Sequence, residues 1–144
     1  MKEKPLLQYV HHVHYVVHNR DAMVEYLEKN FGMKPERLSE YKNGMKDAMY
    51  KVGKTYIEIS EPQDPTHPIA KQLAQHGPGI FHVAWGVDNI EKAAKELAAK
   101  GNEMSGMNKI REKEGVNRSP RGYLTSNVHL AGVWFQLAEG EAVH

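Results

Sequence analysis

Two histidines seventy residues apart hold the same place in two similar stretches. His12 lies among Val13, Tyr15 and Val17, and His82 among Phe81, Val83, Trp85 and Val87. A strand sends alternate side chains to opposite faces, so each histidine points away from an apolar row. Glu58 and Gln136 have comparable settings, Glu58 opposite Ile57 and Ile59, Gln136 opposite Val133, Phe135 and Leu137. Each of the four lies on the first or last strand of one half of the chain. Two imidazoles, one carboxylate and one carboxamide oxygen make a donor set that a hard or borderline divalent ion accepts. Any one of them alone reads as a polar side chain on the open face of a half-buried sheet. Their repetition at related positions points to a shared metal site. The spacing is 46 residues from His12 to Glu58 and 54 from His82 to Gln136, a difference that a loop at 113–121 absorbs.

The elements that must position these residues follow from local signals. Residues 9–17 read as a strand. Asn19 or Asp21 can cap the helix that carries Met23, Leu27 and Phe31, and Gly32 can stop it. Strands near 36–41 and 46–52 flank Asn43-Gly44, a strong hairpin signal. Gly53-Lys54 makes the next turn, and Thr55, Ile57 and Ile59 form the apolar face of a fourth strand. Glu61 to Pro68 reads as a proline-rich linker. A short helix follows from Ile69 to His76, with Pro68 in its first turn and Gly77 after it. The second half repeats the plan. After the His82 strand, Asn89 caps a helix with Ile90, Ala93, Ala94, Leu97 and Ala98 on one stripe, ended by Gly101. A weak strand at 103–112, a charged loop at 113–121, a strand from Tyr123 to Asn127, a turn at Ala131-Gly132 and a last strand complete it. Helices over the apolar faces would leave the four donors on the uncovered side.

Composition sets limits. The chain has 144 residues, 19 basic and 18 acidic, for a formal net charge of +1. That balance argues against a nucleic-acid partner. Cysteine is absent, which excludes a disulfide framework and a thiol nucleophile. No apolar run has the length of a membrane span, and Met1-Lys2-Glu3-Lys4 does not open a signal peptide. A cytoplasmic protein without a membrane partner is expected.

The segments His11-His12-Val13, Gly44 to Glu58, Tyr56 to Pro62, Ile69 to Leu73, Phe81 to Trp85 and Gly132 to Leu137, in this order, resemble the vicinal oxygen chelate superfamily. That group includes glyoxalase I, methylmalonyl-CoA epimerase, extradiol dioxygenases, fosfomycin resistance proteins and bleomycin-binding proteins. The resemblance runs from about Tyr9 to Glu139 and is nearest to methylmalonyl-CoA epimerase. It implies an α+β fold of two tandem βαβββ modules, a curved mixed sheet around one metal. The modules would be residues 1–62 and 79–144, joined by a linker with a short helix at 63–78, in one compact domain. It also implies that His12, Glu58, His82 and Gln136 are the metal ligands. The metal would be a single divalent ion: cobalt, nickel, zinc, manganese or iron. Carboxylate and carboxamide stand exchanged relative to the usual family pattern, with Glu58 in the first half and Gln136 on the final strand. A further acid of epimerases, three residues after the hairpin glycine, falls on Asp47.

The chemistry implied is an isomerase or epimerase working through an enolate on an acyl-CoA-type or other α-substituted carbonyl substrate. Glu58 and Asp47 are its candidate proton-transfer groups. A glyoxalase-I-like lyase and a non-haem Fe(II) dioxygenase use related donor sets, and a drug-sequestering binder without metal would dispense with them. His14 shares the face of His12, where it could line a pocket, and is read first as a supporting or solvated side chain. His11 and His18 receive no role, and Met45 and Met49 read as packing residues or pocket wall. Lys109, Arg111, Lys113, Arg118 and Arg121 are a solvated charged loop or, alternatively, partners for coenzyme A phosphates. A homodimer is expected from the resemblance.

Overall fold

The computed structural model describes residues 4–41, 44–106, 122–126 and 134–139. Among them the element order is β1 (Tyr9–Val16), α1 (Arg20–Phe31), β2 (Arg37–Tyr41), β3 (Met45–Val52), β4 (Thr55–Pro62), α2 (Pro68–His76), β5 (Gly79–Gly86), α3 (Ile90–Ala99), β6 (Glu103–Gly106), β7 (Gly122–Ser126) and β8 (Trp134–Ala138). The class is α+β, with the strand–helix–three-strand plan present twice. Contacts divide the chain into two compact units, one of His12–His82 and one of Met1–His11 with Val83–His144.

In the unit His12–His82 the strand order is β2-β3-β4-β1. β3 is antiparallel to both β2 and β4, and β4 is parallel to β1. The register places Val13, Tyr15, Ile57, Ile59, Ala48 and Tyr50 on one face. Leu27, Met23 and Val24 of α1 pack on that face and close the core. His12, His14, Tyr56, Glu58, Ser60, Asp47 and Met49 fall on the other face by the two-residue period. α1 starts where Asn19 accepts a hydrogen bond from the Ala22 N–H at 2.9 Å. It ends where Gly32 takes φ 65°, a left-handed conformation that side chains other than glycine adopt at a cost.

The second unit repeats these devices with different residues. Its strand order is β5-β8-β7-β6, with β5 parallel to β8 and the other neighbours antiparallel. Val87, Ile90, Ala93 and Leu137 form its core, with Leu6, Leu7, Trp85 and Leu97 packed around them. Asn89 caps α3 through the Lys92 N–H. Two further bonds match between the units. Val17 N–H donates to Ser60 O, as Val87 N–H donates to Ala138 O. Arg20 N–H donates to Glu61 Oε1, as Ile90 N–H donates to Glu139 Oε1. A carboxylate at the C-terminal end of β4 or just after β8 therefore satisfies a free amide at each helix start and complements its positive end.

One boundary differs from the sequence reading. β4 continues through Glu61 and Pro62, which pair with Lys46 and Met45. Pro62 is tolerated because it terminates the strand, where its missing donor interrupts no ladder beyond it. Asn43, the turn at Ala131-Gly132 and the charged loop at 113–121 lie outside the described residues.

Candidate functional site

β1, β3 and β4 bring one set of polar side chains together on the face away from α1. His12 is buried, and its Nε2 lies 3.8 Å from Glu58 Oε2. The His12 and His82 rings meet edge to face with centroids 5.6 Å apart. Three of the four expected metal donors thus gather in the unit His12–His82. Gln136 lies buried on β8 of the other unit, paired in register with Ala84. Among the described residues no group of three or more histidines and carboxylates is arranged as a ready coordination sphere. The residue types fit a divalent ion, since imidazole nitrogen and carboxylate oxygen are its ordinary donors. What is present is a donor set rather than a formed site.

Asp47 is the second carboxylate of this face. It is buried, and burial followed by the negative charge of Glu58 pushes its carboxyl up to about 6. A hydrogen bond from Ser60 and the charges of His14 and Arg37 act the other way. Its Oδ1 is buried without a hydrogen-bond partner among the described residues. A buried acceptor left open costs free energy, and such atoms concentrate where a ligand or reactant completes them.

His14 has its Nε2 2.7 Å from Ser60 Oγ. Its ring stands edge-on to His82 at 5.0 Å and to Phe81 at 5.6 Å. Burial pushes its pKa down to about 4, against an opposing pull from Asp47. Of the readings of His14, the solvated one is therefore corrected and the supporting one stands: β1 carries it inward, where water does not compensate its charge. His11, given no role from sequence, is also buried.

Sequence reasoning missed Arg20. Its guanidinium is buried and donates from Nη1 to Ser39 O and Asp47 O, both at 3.1 Å. Nε and Nη2 reach Asp21 Oδ1 at 3.0 and 2.8 Å. It also missed the partnership of Ser60 with His14. A usable signal existed in the halves themselves, because Ala84 and Ile90 stand where His14 and Arg20 would repeat. Lys109, Arg111, Lys113, Arg118 and Arg121 lie outside the described residues.

A family model described as the Glyoxalase/Bleomycin resistance protein/Dioxygenase superfamily matches residues 11–118. The chain belongs to this superfamily. No curated protein matches the sequence. Among solved structures, methylmalonyl-CoA epimerase from Mycobacterium tuberculosis is similar at 21% identity with a TM-score of 0.75, covering 99% of this chain and 94% of that one. A methylmalonyl-CoA epimerase in complex with methylmalonyl-CoA and NH4+ matches at 23% identity with a TM-score of 0.73, covering 95% and 97%. A variant of the Streptomyces coelicolor epimerase in complex with 2-nitronate-propionyl-CoA gives 22% identity and a TM-score of 0.72, covering 94% and 99%. These likenesses establish the superfamily's glyoxalase-like fold in this chain. Among the described residues no helix is long and apolar enough to cross a membrane.

Proposed function

We propose that this superfamily member is a metal-dependent isomerase or epimerase. It would move a proton on the carbon beside the carbonyl of an α-substituted acyl thioester. The observation that supports this most is Asp47, a buried carboxylate with an open Oδ1, raised to about 6, on the strand face that carries His12 and Glu58. A general base works best when its pKa lies near the working pH, and burial moves Asp47 in that direction. The methylmalonyl-CoA bound in one similar structure and the 2-nitronate-propionyl-CoA bound in another support a CoA thioester as substrate class.

His12, Glu58 and His82 would hold a divalent ion, with Gln136 as a fourth donor on the family resemblance. Such an ion supplies positive charge against a substrate carbonyl oxygen, which favours an enolate. Asp47 would accept the α-proton at Oδ1 and exchange it with solvent, and a proton delivered to the opposite face of the enolate, with Glu58 as the second candidate group, would invert the carbon. In the metal-free chain the negative charge of Glu58, after burial, is the second cause that raises Asp47. We further propose that the chain works as a homodimer and that residues 1–62 and 79–144 are its two modules.

Deuterium wash-in at the α-carbon of methylmalonyl-CoA in heavy water tests the reaction. Wash-in by the metal-loaded protein is expected. Oxygen uptake without wash-in would replace this reading with the dioxygenase one. Elemental analysis tests the donors: about one divalent ion per chain is expected, and its loss in a His12→Ala, His82→Ala variant. Equal metal in both proteins would exclude these ligands.

A further inference from the structure

The two halves of the chain form an internal comparison. The matched bonds of Val17 with Ser60 and Val87 with Ala138 set the correspondence. On it, His14 answers to Ala84, Arg20 to Ile90 and Ser60 to Ala138. Asp47 pairs with Ser60 in register and Gly122 pairs with Ala138, so Asp47 answers to Gly122. Two alanines, an isoleucine and a glycine therefore build the same strands and helix start in the second unit. The elements themselves do not require polar groups at these places.

In the first unit all three polar partners converge on Asp47. Arg20 Nη1 holds the Asp47 carbonyl oxygen at 3.1 Å and the Ser39 carbonyl oxygen of the adjacent strand at the same distance. Ser60, fully buried, pairs with Asp47 in register across β3 and β4, a hydrogen bond from it acts to lower the Asp47 carboxyl, and His14 Nε2 lies 2.7 Å from Ser60 Oγ. Counting protons fixes the direction. An ionised carboxylate only accepts, and a serine hydroxyl has one proton to give. With Asp47 ionised that proton goes to Asp47, so the Ser60 oxygen would accept from His14, whose ring hydrogen would then sit on Nε2. Asp47 is then held by its backbone and by one carboxylate oxygen, with Oδ1 left open.

We propose that His14 and Ser60 are positioning residues, a donor chain from imidazole through hydroxyl to carboxylate that fixes the orientation of Asp47. This rests on the reading of Asp47 as the proton-transfer group. The chain acts by aim: a carboxylate swung away from the α-carbon loses rate without losing substrate affinity.

Two measurements test it, one independent of turnover. Long-range ¹H–¹⁵N spectra of the wild-type protein in mildly alkaline solution are expected to show His14 as the Nε2–H tautomer, and Ser60→Ala to disturb that signal. An Nδ1–H tautomer in the wild type overturns the donor chain whatever the activity. In deuterium wash-in, Ser60→Ala and His14→Leu are expected to lower kcat by about 10- to 100-fold with little change in KM, the scale of a misaimed catalytic group. Ser60→Thr and His14→Gln restore a hydroxyl and an N–H donor, and most of the rate is expected to return. Equal losses in Ser60→Ala and Ser60→Thr, with circular dichroism showing both folded, also overturn it. No wash-in by the wild type, with the Nε2–H tautomer present, defeats the proposed reaction and leaves the donor chain supported by the spectra.

Discussion

At the scale of single residues, Asp47 and Glu58 differ in what they can do. Glu58 lies 3.8 Å from His12 Nε2 among the donors, and an ion stabilises the charge of a carboxylate bound to it. On the proposed metal site this would make Glu58 a weak base and Asp47 the stronger candidate. Asp47→Asn is expected to lower wash-in by roughly two to four powers of ten, the usual contribution of a positioned base. Glu58→Gln is expected to lower it less, because its amide oxygen still offers a donor. A larger loss in Glu58→Gln would exchange their roles.

The same residues predict an unusual response to acid in metal-free protein. Asp47 is raised from 3.8 to about 6, so its contribution is present below about 4 and fades as pH rises through about 6. His14 is lowered from 6.5 to about 4, so its contribution is present above about 6.5 and fades as pH falls through about 4. Between pH about 4 and 6 the folded chain keeps a proton on Asp47 that the unfolded chain has released, and refuses one on His14 that the unfolded chain binds. The two slopes oppose each other. His14→Gln removes one of them, and stability should then fall by on the order of 2 kcal/mol as pH rises across that window. Thermal melts of the two proteins at several pH values check this, and a parallel response in both would show that the pair does not titrate in this way.

At the scale of elements, the caps and the alternation were legible because both are local. Asn19 and Asn89 announce their helices, and the period of two already separates Ile57 and Ile59 from Glu58 and Ser60. Asn89→Ala is expected to cost about 1 kcal/mol, read as a lower melting temperature. The surroundings of His14 and Arg20 were not legible. Ser60 is 46 residues from His14 and Asp47 is 27 from Arg20, so only strand pairing reveals the contacts. Close packing was equally hidden at Gly86. A Cβ there would lie 2.2–2.5 Å from atoms of the Tyr9 ring, and Gln8 N–H bonds Gly86 O at 2.8 Å beside it. Gly86→Ala is expected to destabilise by about 1–3 kcal/mol, the scale of overpacking. Denaturant titration should find that loss reduced when Tyr9→Ala is present too, since neighbouring changes are not additive. Additive losses would mean that the ring is not what fills the space.

At the scale of the whole molecule, the family and the doubled plan were legible, because a repeat at fixed spacing survives even where individual residues change. Self-association is open to a direct check. Sedimentation equilibrium at micromolar concentration is expected to give twice the 16.4 kDa chain mass, and only that mass would argue for a monomer.

The parallel pairing of β1 with β4 carries a consequence for how the chain reaches this state. β3 and β4 are joined by the tight turn at Gly53-Lys54, whereas His12 pairs with Tyr56 across the whole of α1, β2 and β3. Closing that longer loop loses chain entropy before any contact offsets it, so distant pairing forms slowly. The β3–β4 hairpin is expected in the transition state and β1 is expected to dock afterwards. Val16→Ala, at a fully buried place on β1, should then mainly accelerate unfolding. Gly53→Ala, which forces a side chain onto φ 62°, should mainly slow folding. Stopped-flow chevrons of the two variants distinguish this order from its reverse. In this order His12 and Glu58, on strands distant in the chain, meet only in the last step of folding, so a nascent chain acquires its donor set after its core has begun to form.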